Sequence, residues 1–169
     1  MNKRASSKNT MVNSNFKVPI DERYFEHYLP GSIYEFGSIV VEQNEVLEFS
    51  KLYDPYVFDS GLEAYGEAKN GSVVASGWHT VIMGMRLFAD FYISHVAGVG
   101  PPSVDDIHWL KAVHPGDELS IRVTIKSRKL TGSKSGKGIV RSYVEIMNQN
   151  RAIVTTLKVK NVLLCERST

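Results

Sequence analysis

Two acidic residues close together in the chain have side chains that can transfer protons. Asp54 and Asp59 lie five positions apart, and Pro55 directly follows the first of them. If the two carboxyl groups converge, their mutual repulsion lets the pair share one proton and act as an acid and a base. If they diverge, Asp54 keeps a structural or weakly basic role, and Asp59 is an ordinary solvated loop residue.

Ser76-Gly77 is the second candidate feature, because the sequence pattern places it at the start of a long helix. The first backbone N–H groups of a helix have no acceptor within the helix, and the helix dipole favours an anion there. Gly77 has no side chain, so a ligand can approach its backbone closely. These residues could stabilise negative charge that develops on a carbonyl oxygen. The five histidines show no close metal-ligand spacing, so the sequence predicts no metal site.

Two helices are predicted to position these residues. The first has Asn44 as its N-cap and ends at Asp54, because a residue before proline disfavours helical geometry. The second runs without proline from Ser76 to about Val96. Its apolar residues cover more of the helix surface than a single stripe, so a sheet is expected to wrap it. A short helix over Leu62–Ala68 is also predicted. The residues with helical spacing are Val46, Phe49 and Tyr53 in the first helix and Val81, Met85, Phe88 and Tyr92 in the second.

Alternation of apolar and polar residues predicts the strands of that sheet. The predicted strands cover residues 33–41, 107–113, 119–126, 140–146 and 153–159. The turn residues His114–Asp117 and Asn148–Asn150 between them indicate an antiparallel meander. One long buried helix followed by successive strands predicts an α+β fold.

Composition and charge narrow the classes of protein. The chain has 169 residues, a length that fits one domain with a tail. The sequence predicts a disordered basic tail over residues 1–20 and a single domain over residues 21–169. The tail carries a charge of +4 and the whole chain a net charge of +2, so the domain carries −2. This charge indicates that the domain is not a nucleic-acid-binding surface. No apolar stretch is long enough to span a membrane, and the single Cys165 excludes an internal disulfide. A cytoplasmic protein is predicted, although the acid-free tail leaves organellar import open.

Several separate segments between Gly31 and Leu164 together resemble the MaoC-like hydratases. The resemblance implies a hot-dog fold, in which an antiparallel sheet wraps a long central helix. It also implies an enzyme that adds water to an enoyl-CoA, or removes it from a 3-hydroxyacyl-CoA, with the CoA thioester as substrate and no cofactor. The segments are Asp54-Pro55, Ser76–Thr80, Arg86-Leu87, Ile107–Lys111, Pro115–Asp117, Gly138–Arg141 and Val144–Gln149.

The same resemblance implies roles for individual residues. Asp54 would be the base toward water, the Gly77 N–H would bind the thioester oxygen, and Ser76 would support the site. The family has a histidine five residues after this aspartate, whereas here Asp59 occupies that position. Asp59 is a candidate catalytic residue that shares a proton with Asp54 if the two carboxyl groups converge. Trp78 and His79 are predicted to contact the substrate.

Two other functions stay open at the level of the sequence. Other hot-dog proteins use a carboxylate to direct water at the thioester carbon, so a thioesterase is one alternative. Loss of the histidine motivates the other, a non-catalytic acyl-thioester-binding or assembly subunit. The expected ligand is an acyl-CoA or acyl-carrier thioester. The resemblance implies a homodimer or a dimer of dimers, and no nucleic-acid or membrane partner is expected.

Overall fold

A computed structural model describes residues 16–54, 73–99, 103–132 and 136–166. These ranges contain two short 3₁₀ turns, two α-helices and five strands. Asp59 and the short helix predicted over residues 62–68 lie outside the described residues. The helices are α1 (Gln43–Tyr53) and α2 (Gly77–Phe91), and the strands are β1 (Ile33–Val40), β2 (Ser103–Trp109), β3 (Glu118–Leu130), β4 (Lys137–Met147) and β5 (Ile153–Leu164).

The strands form one antiparallel sheet in the order β1-β3-β4-β5-β2. Consecutive strands β3, β4 and β5 pair with one another, which confirms the predicted meander for this part of the sheet. Strand β2 does not pair with β3, its successor in the chain. It pairs instead with β5 and forms the edge of the sheet opposite to β1. The meander therefore does not include the strand that was predicted before His114.

The core lies between one face of the sheet and α2. Alternate residues of β3 point inward and are fully buried, among them Leu119, Ile121 and Ile125. Met83, Leu87 and Phe88 of α2 belong to the same apolar cluster. Burial of each large apolar side chain contributes roughly 1.5–3 kcal/mol, so the long apolar helix is stable only under this sheet. The predicted α+β arrangement of a sheet around a central helix is confirmed.

Gly37 allows β1 to approach α2 closely. Its φ is +64°, a conformation that favours glycine, and the register of β1 against β3 shifts between Phe36 and Ile39. A Cβ atom at position 37 would lie 2.7 Å from Cδ2 of Leu87. Any larger residue would therefore have to displace the side chains of Leu87 and Phe91.

The end of α2 differs from the prediction. The helix ends at Phe91 rather than near Val96. The Arg23 guanidinium donates hydrogen bonds to the carbonyls of Phe91 and Tyr92, at 2.7 and 3.1 Å, and the Tyr28 hydroxyl donates to the Tyr92 carbonyl at 3.0 Å. These donors from the N-terminal segment satisfy the last carbonyl groups and end the helix.

Two other boundaries also move. Helix α1 begins at Gln43 with Glu42 as N-cap and without a side-chain cap, so the predicted Asn44 cap is wrong. Strand β2 ends at Trp109, and Val113, predicted as its continuation, lies buried beyond it. Neither helix in the described ranges is long and apolar enough to cross a membrane.

The packed structure includes Phe16, ahead of the predicted domain start at residue 21. Phe16 is buried, and its ring stacks on Tyr34 with 4.4 Å between the centroids. The Arg23 guanidinium lies 3.9 Å from the centre of the Phe16 ring. The basic stretch up to residue 20 therefore contributes a core residue at its C-terminal end.

Candidate functional site

Asp54 lies at the junction between α1 and the start of α2. It is the C-cap residue of α1, and its backbone N–H donates to the Ser50 carbonyl at 3.1 Å. Its carboxylate oxygen Oδ2 accepts a hydrogen bond of 2.5 Å from the Ser76 hydroxyl. That length is typical of an O–H donor bound to an ionised carboxylate. The structure thus brings together two predicted site residues that lie 22 positions apart.

Ser76 holds this carboxylate at the N-terminus of α2. Its hydroxyl oxygen accepts a hydrogen bond of 3.2 Å from the Trp78 N–H, which makes Ser76 the N-cap of the helix. Because the hydroxyl has a single proton, accepting from Trp78 leaves that proton for Asp54. Ser76 is only 1% exposed, and it is fixed by these two contacts. The positive end of the helix dipole attracts the negative charge on Asp54.

Gly77 begins the helix beneath the indole ring of Trp109. The Gly77 N–H has no acceptor within the helix, as expected for its first residue. A Cβ atom at position 77 would lie 2.5 Å from Nε1 of Trp109, so only glycine fits here without displacing the indole. A ligand was expected to approach the backbone of Gly77 closely. In the structure the side chain of Trp109, the last residue of β2, makes that close approach.

Trp78 and Trp109 lie at the surface beside this helix start. Their rings meet edge to face with 5.1 Å between centroids, and they are 55% and 41% exposed. Trp109 is the last residue of β2, which forms one edge of the sheet. Its place on an edge strand leaves one side uncovered. The sequence showed the alternation in β2 but not that β2 forms an edge.

His79 lies in the first turn of α2 and is 7% exposed. Its ring stacks on Phe49 of α1 with 4.7 Å between centroids and 6° between planes. Among the described residues Nδ1 is buried and has no hydrogen-bond partner. Burial lowers the pKa of His79, against a smaller opposing effect from Glu45, so the ring is neutral at pH 7. This contact also joins the two helices that position Asp54 and Ser76.

The described residues supply a carboxylate, its hydroxyl partner and a helix N-terminus. Asp54, Ser76 and Gly77 are joined directly through hydrogen bonds and chain continuity, and Trp78 and His79 flank them in the same helical turn. Asp59 lies outside the described residues, so its pairing with Asp54 stays a prediction. No group of three or more metal-ligating side chains occurs in the described ranges.

Comparison with known proteins establishes the fold. No protein-family model and no curated protein matches the sequence. Solved structures do match. A MaoC-like dehydratase from Rhodospirillum rubrum is 24% identical with a TM-score of 0.69, over 86% of this chain and 99% of that one.

Two further structures support the same assignment. An R-hydratase from Pseudomonas aeruginosa is 14% identical with a TM-score of 0.59, over 85% of this chain and 86% of its own. A Mycobacterium tuberculosis protein with a double hot-dog fold is 10% identical with a TM-score of 0.69, over 90% of this chain and 47% of its own. The chain therefore has a hot-dog fold and is structurally similar to MaoC-like dehydratases and R-hydratases.

Proposed function

We propose that this protein adds water to the double bond of an enoyl thioester and catalyses the reverse dehydration. The observation that carries the proposal is the hydrogen bond from Ser76 to Asp54, which holds a carboxylate beside the N-terminus of α2. Hydration needs a base for water and an electrostatic site for the thioester oxygen, and this junction contains a candidate for each. The similarity to solved dehydratases and hydratases adds independent support.

The thioester oxygen binds at Gly77 in this proposal. When water attacks C3, the electrons of the C2–C3 double bond move toward the thioester oxygen and form an enolate. The Gly77 N–H donates to that oxygen, and the dipole of α2 favours the new negative charge. Since Trp109 covers the backbone at this position, its indole moves aside or contacts the bound thioester.

Asp54 receives the proton that the attacking water loses. The hydroxyl of Ser76 donates its hydrogen bond to Oδ2 of Asp54 and orients the carboxylate. In our proposal the other carboxylate oxygen, Oδ1, faces water. A proton must then reach C2 to complete the addition, and Asp59 is the residue that supplies it in our proposal. Two carboxyl groups that share one proton can act alternately as acid and base.

Trp78 and His79 contact the substrate in the same proposal. His79 is neutral and carries one N–H, so it can donate a hydrogen bond without adding charge near the thioester. The exposed Trp78 ring offers an apolar surface at the rim. The acyl group arrives as a CoA or acyl-carrier thioester, both of which have the same reacting atoms.

The reaction is tested by following the absorbance of short and medium enoyl-CoA substrates with the full-length protein. We expect absorbance to fall without release of free thiol, and to rise when 3-hydroxyacyl-CoA is supplied. Release of thiol would instead assign hydrolysis of the thioester. Absence of turnover at every chain length, in both directions, would contradict a hydratase.

A non-catalytic acyl-thioester-binding subunit is the second candidate. It is favoured by Asp59 standing where the family has histidine and by Trp109 lying over Gly77. This function predicts that acyl-CoA raises the melting temperature of the protein while no product forms. Titration of the same thioesters in a thermal-shift assay, beside the absorbance assay, separates the two candidates.

We also propose that the functional unit is a homodimer, alone or in pairs. Strand β2 is an edge strand, and four large apolar side chains beside it are exposed. Trp78 and Ile82 lie one turn apart on α2, and Trp109 contacts Trp78. An apolar patch beside an open strand edge is typical of an interface between chains. The four exposed residues are Trp78, Ile82, Trp109 and Leu110.

A further inference from the structure

The outer face of the sheet, opposite α2, carries a row of cations. In β4 and β5, Arg141 and Lys160 are direct cross-strand partners, and Arg141 lies opposite Ser127 of β3. Lys126 directly precedes Ser127 in β3, and Lys158 lies two residues before Lys160 in β5, opposite Tyr143. Like charges directly opposite one another in a sheet are destabilising. We call these four residues, Lys126, Arg141, Lys158 and Lys160, the cationic row.

Few acidic residues balance this row. Lys158 pairs with Asp106, and that contact raises the pKa of the lysine. Lys126 lies 5.4 Å from the centre of the Tyr143 ring. Within the described parts of the chain, neither Arg141 nor Lys160 has a carboxylate within ion-pair distance, so the repulsion between them is uncompensated. The row therefore keeps a net positive charge even when Asp105 and Asp106 are counted.

The other end of the same sheet face is balanced. There Glu35 accepts hydrogen bonds from Arg122 and Arg151, each at 2.8 Å, and Arg122 also contacts Glu145 at 3.4 Å. The hydrogen bond from Arg151 is the main cause that lowers the pKa of Glu35. The fold thus pairs its charges at one end and leaves cations facing cations at the other.

The cationic row surrounds a cavity of about 390 Å³. All four cations line it, together with Asp105, Ser142, Tyr143 and Val159. Its volume falls in the range of small-molecule sites, which begins near roughly 300 Å³. Arginine and lysine side chains that converge on a concave surface bind phosphate groups, and an aromatic ring can stack on a planar base.

We propose that this cavity binds a small molecule that carries a diphosphate group. The anion lies between Arg141 and Lys160 and relieves their repulsion, and any attached ring packs on Tyr143. Inward-facing residues of the same strands contact α2, so the sheet separates this cavity from the start of that helix. The site is therefore independent of the proposed hydration of thioesters, and each can fail without the other.

Thermal shift of the full-length protein in low salt tests the proposal, with inorganic pyrophosphate and ADP as probes. We expect both probes to raise the melting temperature, and added salt to weaken the shift. A larger shift with ADP assigns a nucleotide that stacks on Tyr143, and equal shifts assign the diphosphate group alone. If neither probe changes the melting temperature at millimolar concentration, the proposal is wrong.

Matched variants locate the binding. R141Q and K160Q should each weaken pyrophosphate binding about tenfold or more, because each removes a charge-assisted contact. Without ligand their melting temperatures should equal or exceed that of the wild type, since repulsion within the row falls. R86Q removes the same charge from the exposed face of α2 and should bind as the wild type does. Equal weakening in R86Q and R141Q would show a nonspecific ionic effect and overturn the site.

Discussion

At the scale of single residues, the contact between Asp54 and Ser76 is the most informative feature of the molecule. The two residues are 22 positions apart, and the hydroxyl of one donates to the carboxylate of the other. The sequence placed both among the site residues, but it offered no measure of their distance. A separation of 22 positions does not fix the distance between two side chains, whereas in the folded protein the Phe49 ring of α1 stacks on His79 of α2 beside this contact.

Replacing Ser76 tests whether this contact matters beyond the helix cap. In Ser76→Ala we expect kcat for enoyl-CoA hydration to fall about tenfold to a hundredfold, because a hydrogen bond to a charged group is lost. Stability should fall by about 1 kcal/mol through loss of the cap. Ser76→Thr keeps a hydroxyl and should restore most of kcat. An alanine variant with lower stability but unchanged kcat would show that Ser76 only caps the helix.

His79 makes folding depend on pH in a defined direction. Burial lowers its pKa in the folded protein, so the unfolded chain binds a proton more readily. Its contribution to stability is therefore present above the ordinary histidine pKa of about 6.5 and is lost as pH falls below that value and through the lowered pKa of the folded protein. We expect the melting temperature to drop more in the wild type than in His79→Gln between about pH 7.5 and about pH 5.5, two values that bracket the ordinary histidine pKa. Parallel pH profiles of the two proteins would contradict this assignment.

At the scale of elements, the sequence predicted the positions of the strands in the chain better than their pairing in the sheet. The observed β1 spans Ile33–Val40, against the prediction of 33–41, and β3 begins one residue before the prediction. Period-two alternation is local and therefore visible in the chain. The placement of β2 beside β5 depends on contacts across 50 or so residues, for which no local pattern exists.

The end of α2 shows the same limit. Apolar spacing continues through Tyr92, and the sequence predicts helix up to Val96. The helix stops because Arg23 and Tyr28 bind its last carbonyl groups, and these residues lie more than 60 positions away. The N-terminal boundary, by contrast, depends on Ser76 next to Gly77, and the prediction was accurate to one residue.

The contact between the start of α2 and the end of β2 can be tested through fluorescence, because the chain has only two tryptophans. In Gly77→Ala the new Cβ must displace the Trp109 indole, so the emission spectrum should change. We expect a loss of about 1–3 kcal/mol in the free energy of unfolding, as for other overpacked sites. Gly132→Ala adds a methyl group where no atom of the described residues lies within 4 Å and should change neither quantity. An unchanged spectrum in Gly77→Ala would contradict the contact.

At the scale of the whole molecule, the fold class followed from the order of elements, and structural similarity confirms the hot-dog fold. The resemblance read from the sequence pointed to the same proteins. The pairing of Asp54 with Asp59 stays a prediction, because Asp59 lies outside the described residues. Assembly is also a property of the whole molecule, since the exposed patch combines residues from α2 and from the end of β2.

The proposed dimer predicts a specific effect of one surface substitution. Ile82 is 55% exposed in the single chain, and Ile82→Arg would place a charge in the apolar interface. We expect light scattering to give twice the chain mass or a multiple of it for the wild type, and a smaller assembly for the variant. Leu130→Arg, at a similarly exposed apolar position at the end of β3, is the matched control. A monomeric wild type would contradict the dimer.

The central claim is that Asp54 accepts the proton of water, and one comparison tests it most directly. Enoyl-CoA hydration by the wild type, Asp54→Asn and Asp90→Asn is measured by loss of absorbance, after each variant is shown to be folded. Asp90 is an ion-paired aspartate on α2, and its substitution removes the same charge. We expect Asp54→Asn to lower kcat about 100- to 10,000-fold and Asp90→Asn to leave it unchanged. Full activity in Asp54→Asn would contradict the account.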